Sequence, residues 1–124
     1  MSTTEVESAL VDHSSVAESA VVGATDPTTG QAIMAYVILK GDQDPSPELG
    51  EELRGHVAKK IGPTARPKTV IFVPDLPKTR SGKIMRRLLR DVADGHVLGD
   101  TTTLADPAVV DEIRHRAAES PQED

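Results

Sequence analysis

Two runs rich in Val and Ile, residues 16–24 and 32–40, constrain this chain more than any other feature. Between them stands Asp26-Pro27-Thr28-Thr29-Gly30, a concentration of turn formers. β-branched residues fit a pleated, half-buried surface, so the two runs are expected to pair as antiparallel strands across that turn. A third run, Pro67-Lys68-Thr69-Val70-Ile71-Phe72-Val73-Pro74, is bracketed by prolines and reads as a third strand. Tyr36 and Phe72 are the only aromatic residues. The interior must therefore be built from Val, Ile, Leu and Ala.

Helical periodicity fills the gaps between these strands. Thr4-Glu5-Val6-Glu7 fits a capping box, with Val6, Ala9, Leu10 and His13 following at helical spacing. Glu48, Leu49, Leu53, Val57 and Ile61 repeat in the same way until Gly62-Pro63 ends the pattern. Ser81 reads as the N-cap of a further helix with Gly82-Lys83 in its first turn. That helix carries an apolar stripe (Ile84, Met85, Leu88, Leu89, Val92) and a basic one (Lys83, Arg86, Arg87, Arg90). After a loose stretch from Gly95 through Asp100-Thr101-Thr102-Thr103, Asp106 caps a short helix with Pro107 at its first position and Val109, Val110 and Ile113 behind it. This helix is expected to dock on the domain or on a partner domain, and Gln122-Glu123-Asp124 to fray. The order predicts a small α+β domain: a three-stranded sheet with covering helices, spanning residues 1–93, followed by an extension over 94–124.

The length of 124 residues suits one compact unit. Cysteine is absent, which excludes disulfides and thiolate metal sites. No apolar run is long enough to span a bilayer and the N-terminus has no signal-peptide pattern, so a cytoplasmic protein without membrane partners is expected. The net charge of −6 hides a segregation: residues 1–53 carry −9, residues 54–90 carry +10 and residues 91–124 carry −7. A basic block inside an acidic chain points to a local anionic partner.

The centre of that block is Pro77-Lys78-Thr79-Arg80-Ser81-Gly82-Lys83-Ile84-Met85-Arg86-Arg87. A lysine in the first turn of a helix opposes the macrodipole, and such a breach invites a functional explanation. Free N–H groups at a helix start, with Lys78, Arg80 and Lys83 around Ser81 and Gly82, would face a carboxylate or phosphate. The motif is not a P-loop, which needs glycine where Pro77 stands and Ser or Thr where Ile84 stands.

This stretch resembles the last core motif of the acyl-adenylate-forming enzymes, and among them most resembles the AMP-forming acetyl-CoA synthetases. Gly30-Gln31-Ala32 with Ala35-Tyr36-Val37, then Ile61-Gly62-Pro63, then Leu98-Gly99-Asp100-Thr101 with Leu104-Ala105-Asp106-Pro107, stand in the order found near the C-terminus of those synthetases. The similarity runs over roughly residues 1–113 and begins just after a family turn. The hinge and the N-terminal adenylation domain are therefore expected to lie outside these 124 residues, and the isolated chain to be inactive.

The resemblance implies a mobile C-terminal lid that closes for adenylation and rotates for thioester formation, with ATP and CoA as substrates of the complete enzyme and Mg alongside. It assigns Lys83 the catalytic lysine's role, bridging the substrate carboxylate and the α-phosphate. It also makes Lys83 a target of a protein acetyltransferase and a deacetylase. Val11, His13 and Val16 match positions at which the synthetases hold magnesium, the valines through backbone carbonyls; His56, His96 and His115 match no such pattern. Ala58 stands where an arginine meets the coenzyme's phosphate, with Lys59 and Lys60 as substitutes. The alternative is a module whose basic helix binds nucleic acid or a protein partner. It is disfavoured by the lack of an aromatic platform and by the acidic balance of the whole chain.

Overall fold

The computed structural model describes residues 3–26, 30–94 and 104–119. The expected Asp26–Gly30 turn falls mostly outside these residues. So do His96, the loose stretch over 95–103, and Gln122-Glu123-Asp124. The elements are α1 (Thr3–Val11), β1 (Val16–Asp26), β2 (Gly30–Leu39), α2 (Pro47–Lys60), a 3₁₀ turn (Pro63–Ala65), β3 (Thr69–Phe72), α3 (Arg86–Asp94) and α4 (Ala108–Glu119).

The strands form one sheet in the order β1-β2-β3. β1 and β2 pair antiparallel from Asp26↔Gly30 to Val16↔Leu39, with a bulge between Val16 and Glu18. β2 and β3 pair in parallel from Met34↔Thr69 to Val37↔Phe72. Parallel neighbours cannot be joined by a tight turn, and α2 supplies the crossover. Ser46 caps α2 by accepting the Leu49 N–H at 3.0 Å, and Pro47 occupies the first turn.

Helices cover both faces of the sheet, which is why β1 and β2 read as near-continuous apolar runs. On one face Val21, Ala35 and Val37 pack with Val6 and Leu10 of α1 and Leu53 and Val57 of α2. On the other, Ala20, Val22, Met34, Tyr36 and Ile71 pack with Leu89 of α3 and Ile113 of α4. The Tyr36 hydroxyl, buried here, donates to the Leu89 carbonyl at 2.9 Å and ties the sheet to α3. Burial, with a smaller contribution from Asp94, pushes the phenol's pKa well up, so it stays a donor.

Two expected caps differ. α1 already includes Thr3, so Thr4 lies inside it, and the Glu7 carboxylate turns to distant partners described below. The motif helix begins at Arg86, and Ser81 and Gly82 stand in a turn before it. The last helix follows its expected cap, with the Ala108 N–H donating to Asp106 Oδ1 at 3.1 Å. α4 docks on the domain itself, burying Val110 and Ile113.

Candidate functional site

The motif folds into a hairpin. Lys78 and Ile84 form an antiparallel bridge. The Thr79 N–H donates to the Lys83 carbonyl at 2.9 Å, and the Met85 N–H closes the base on the Pro77 carbonyl at 2.8 Å. At the tip the Gly82 N–H donates to the Thr79 carbonyl at 2.8 Å, and Gly82 takes φ +89°, which a residue with a Cβ rarely adopts. The Thr79 hydroxyl accepts the Lys83 N–H at 3.2 Å and shares a hydrogen bond with the Ser81 hydroxyl at 2.9 Å. The cluster of free helix-start amides expected around Lys83 therefore does not form. Serine is as good a turn former as a helix cap, and here Gly82 decides for the turn.

Nor do the motif's basic residues converge as a group. Lys78 Nζ lies 3.0 and 3.3 Å from the two carboxylate oxygens of Glu18 on β1. Arg86 donates through Nε and Nη2 to Glu7 at 3.0 and 2.6 Å, and Glu7 also accepts the Val21 N–H at 2.9 Å. The hydrogen bonding of Arg86 to the Glu7 carboxylate raises the Arg86 pKa against the opposing effect of burial. Arg87 pairs with Asp91 one turn along α3 at 3.5 Å. Arg80, Lys83 and Arg90 are exposed, and their side chains have no ion-pair partner among the described residues. The basic stripe is thus divided into cations held by the protein's own carboxylates and cations left open to solvent. On α3 itself the protein's own acids offset the charge of Arg86 and Arg87, which weakens the basic helix face on which a nucleic-acid or regulatory module would depend.

The same holds for the basic block as a whole. Lys60 bonds Asp12, and Arg54 and Arg66 both reach Glu51, the latter at 3.0 Å. The Lys60 ammonium holds the Asp12 carboxyl below its ordinary range, first by hydrogen bonding and then by charge. Much of the local anionic partner implied by the sequence is the acidic first segment of the chain itself.

His13 sits at the end of α1, and its contacts run to Ser15, Glu52 and His56. The Ser15 N–H donates to Nδ1 at 3.1 Å, so Nδ1 carries the lone pair and Nε2 the proton, which goes to Glu52 at 2.6 Å. Both ring nitrogens are thus engaged by protein groups, and the His13 carbonyl accepts the Val16 N–H at 3.1 Å. Val11 is exposed and Val16 buried. Among the described residues no group of three or more His, Asp or Glu side chains could hold a metal ion. His56 donates to the Ala9 carbonyl at 2.9 Å, a role fixed by its acceptor, and His115 lies exposed on α4. Ala58 is half-buried on α2; Lys59 beside it is exposed and Lys60 is engaged by Asp12. No described helix is long and apolar enough to cross a membrane.

Residues 5–83 match the family model for the AMP-binding enzyme C-terminal domain. The chain is 62% identical to the acetyl-coenzyme A synthetase of Streptomyces coelicolor over all of its length and 19% of that protein's. It is 64% identical to the acetyl-coenzyme A synthetase of Mycobacterium tuberculosis over 92% of this chain and 18% of the relative. It thus spans about a fifth of the length of these relatives. A solved acyl-CoA synthetase of Brucella canis superposes with a TM-score of 0.71 at 47% identity, covering 73% of this chain and 17% of that one. A benzoate CoA ligase from Burkholderia xenovorans superposes with a TM-score of 0.68 at 44% identity, covering 73% and 18%.

Proposed function

Because this chain belongs to the family of AMP-binding enzyme C-terminal domains, we propose that it is the mobile C-terminal domain of an AMP-forming acetate–CoA ligase and that Lys83 is its catalytic lysine. The observation that carries this reading is the sorting of the motif's cations: Lys78, Arg86 and Arg87 are held by carboxylates while Lys83, beside a glycine turn, has no ion-pair partner among the described residues. The acyl group is assigned as acetate from the names of the relatives that match the chain over nearly its whole length.

In the first half-reaction a carboxylate oxygen attacks the α-phosphorus of ATP and pyrophosphate leaves. Two anions must approach, and an ammonium between them offsets their repulsion and stabilises the charge that accumulates on the transition state. Lysine suits this as a compact charge on a flexible stem. Arg80, exposed beside it, adds positive potential at the same turn. Magnesium, when bound with ATP, supplies charge neutralisation on the triphosphate. In the second half-reaction the thiol of CoA attacks the acyl carbonyl and AMP leaves, with the domain rotated so that another face meets the N-terminal adenylation domain. Acetylation of Lys83 by a protein acetyltransferase would remove the ammonium and a deacetylase would restore it, switching the first step.

The test grafts this chain onto the Streptomyces coelicolor synthetase in place of the segment it matches. Lys83→Ala should lower acetate-dependent ATP–pyrophosphate exchange on the order of a thousandfold, while acetyl-CoA formation from supplied acetyl-AMP survives. Equal loss in both steps would make Lys83 structural. The ungrafted chain should release no pyrophosphate from ATP and acetate.

A further inference from the structure

The hairpin that carries Lys83 is very short, with only the Lys78↔Ile84 bridge pairing its two arms. A two-stranded hairpin is marginal in water, and a third strand or a packed face is needed to hold it. That third strand comes from far along the chain. Leu104 bridges Thr79 in antiparallel fashion, and the Ala105 N–H donates to the Lys78 carbonyl at 2.9 Å. Leu104 is 1% exposed and packs with Leu88 of α3 and Val110 of α4, with Met85 against the same cluster. α4 is secured in turn by Ile113, buried in the sheet-side core, and by Arg116, which donates to the Phe72 carbonyl at 3.4 Å.

We propose that Leu104 and Ala105 are positioning residues for adenylation: they complete a three-stranded unit, Ala105–Leu104 against Lys78–Thr79 against Lys83–Ile84, that fixes the turn bearing the lysine. Thr79 is the link, since it meets Leu104 on one side and holds both the N–H and the carbonyl of Lys83 on the other. The family match ends at residue 83, so this strand lies outside the part of the chain that the family model describes. A displacement of about 1 Å in a reacting group can cost about a hundredfold in rate. A lysine on a hairpin fixed along one arm only would be open to such displacement. The inference rests on the proposed role of Lys83, and the test separates the two.

Ala105→Pro removes the N–H that Lys78 accepts, at an exposed residue, and leaves Leu104 in the extended conformation that proline favours before it. Leu104→Ala shortens the buried anchor without altering the backbone. In the 124-residue chain, hydrogen exchange by NMR should speed up about tenfold or more at the Thr79, Gly82 and Lys83 amides in both variants, with the β1–β2 amides unchanged. In the grafted synthetase, ATP–pyrophosphate exchange should fall about 10–100-fold, while acetyl-CoA formation from acetyl-AMP holds. Unchanged protection of the hairpin amides overturns the proposal. So does an equal fall in both half-reactions, which would mark a merely structural strand. Lys83→Ala is measured alongside. If it abolishes exchange while both strand variants keep it, the positioning role fails and the lysine's role stands; if it keeps exchange itself, the lysine's role fails and the positioning role falls with it.

Discussion

The tip of the hairpin over residues 78–84 and the start of the helix α3 that follows it are neighbours in sequence and carry two cations each, Arg80 and Lys83 against Arg86 and Arg87, and the fold treats those cations in opposite ways. At the start of α3, Arg86 reaches across to Glu7, 79 positions away in the chain, and Arg87 turns to Asp91. At the hairpin tip Arg80 and Lys83 face solvent. A cation against a carboxylate holds elements together; a cation with none retains its field for a ligand. The contrast cannot be read from a count of charges, because both stretches belong to the same +10 block.

Removing a paired partner should have the largest effect on stability. Glu7→Ala strands Arg86 and leaves the Val21 N–H without its acceptor, which should cost about 1–3 kcal/mol in urea denaturation; a loss of a few tenths would reduce the pair to an ordinary surface contact. Tyr36→Phe deletes the hydroxyl that ties β2 to α3 and should cost about 1 kcal/mol, read from the same experiment. On the unpaired side, Lys83→Ala and Arg80→Ala should change stability by no more than about 0.5 kcal/mol. A larger loss would give the tip a structural partner and erase the contrast. The smallest effect is at the exposed Lys60–Asp12 pair. Asp12 should titrate below its ordinary value of 3.8, and Lys60→Gln should bring it back. The sign follows from the lowered pKa: the pair's contribution is present above 3.8 and is lost as the pH falls through the folded-state value. NMR titration of the carboxyl would show it.

The strands and helices were legible because each is specified locally. The β-branched runs give β1, β2 and β3, the repeat from Glu48 to Ile61 gives α2, Gly62-Pro63 closes it, and Asp106-Pro107 opens α4. The motif also singled out Lys83, whose side chain the fold leaves exposed. What escaped was whatever depends on a distant partner. Glu7 three residues after Thr4 satisfies a capping pattern, yet its carboxylate is drawn to Arg86 and Val21. Ser81 before a cationic amphipathic run reads as a cap, yet Gly82 at positive φ and the Thr79 hydroxyl make a turn. Leu104 stands 25 residues after Thr79 with no local signal joining them, and only the fold shows the two side by side. The parallel direction of β3 was equally silent, since it follows from the path of α2 across the sheet.

The hydrogen bond from Val21 to Glu7 also bears on how copies of this protein meet one another. β1 is the outermost strand on its side of the sheet, and a bare edge of that kind is a template on which a second chain can add a strand and start aggregation. Near the middle of β1 the outward N–H is occupied by a carboxylate, and the guanidinium of Arg86 lies against that carboxylate. An incoming strand would have to displace an ion pair to gain that backbone bond, so the contact that anchors α3 also blunts this edge of the sheet.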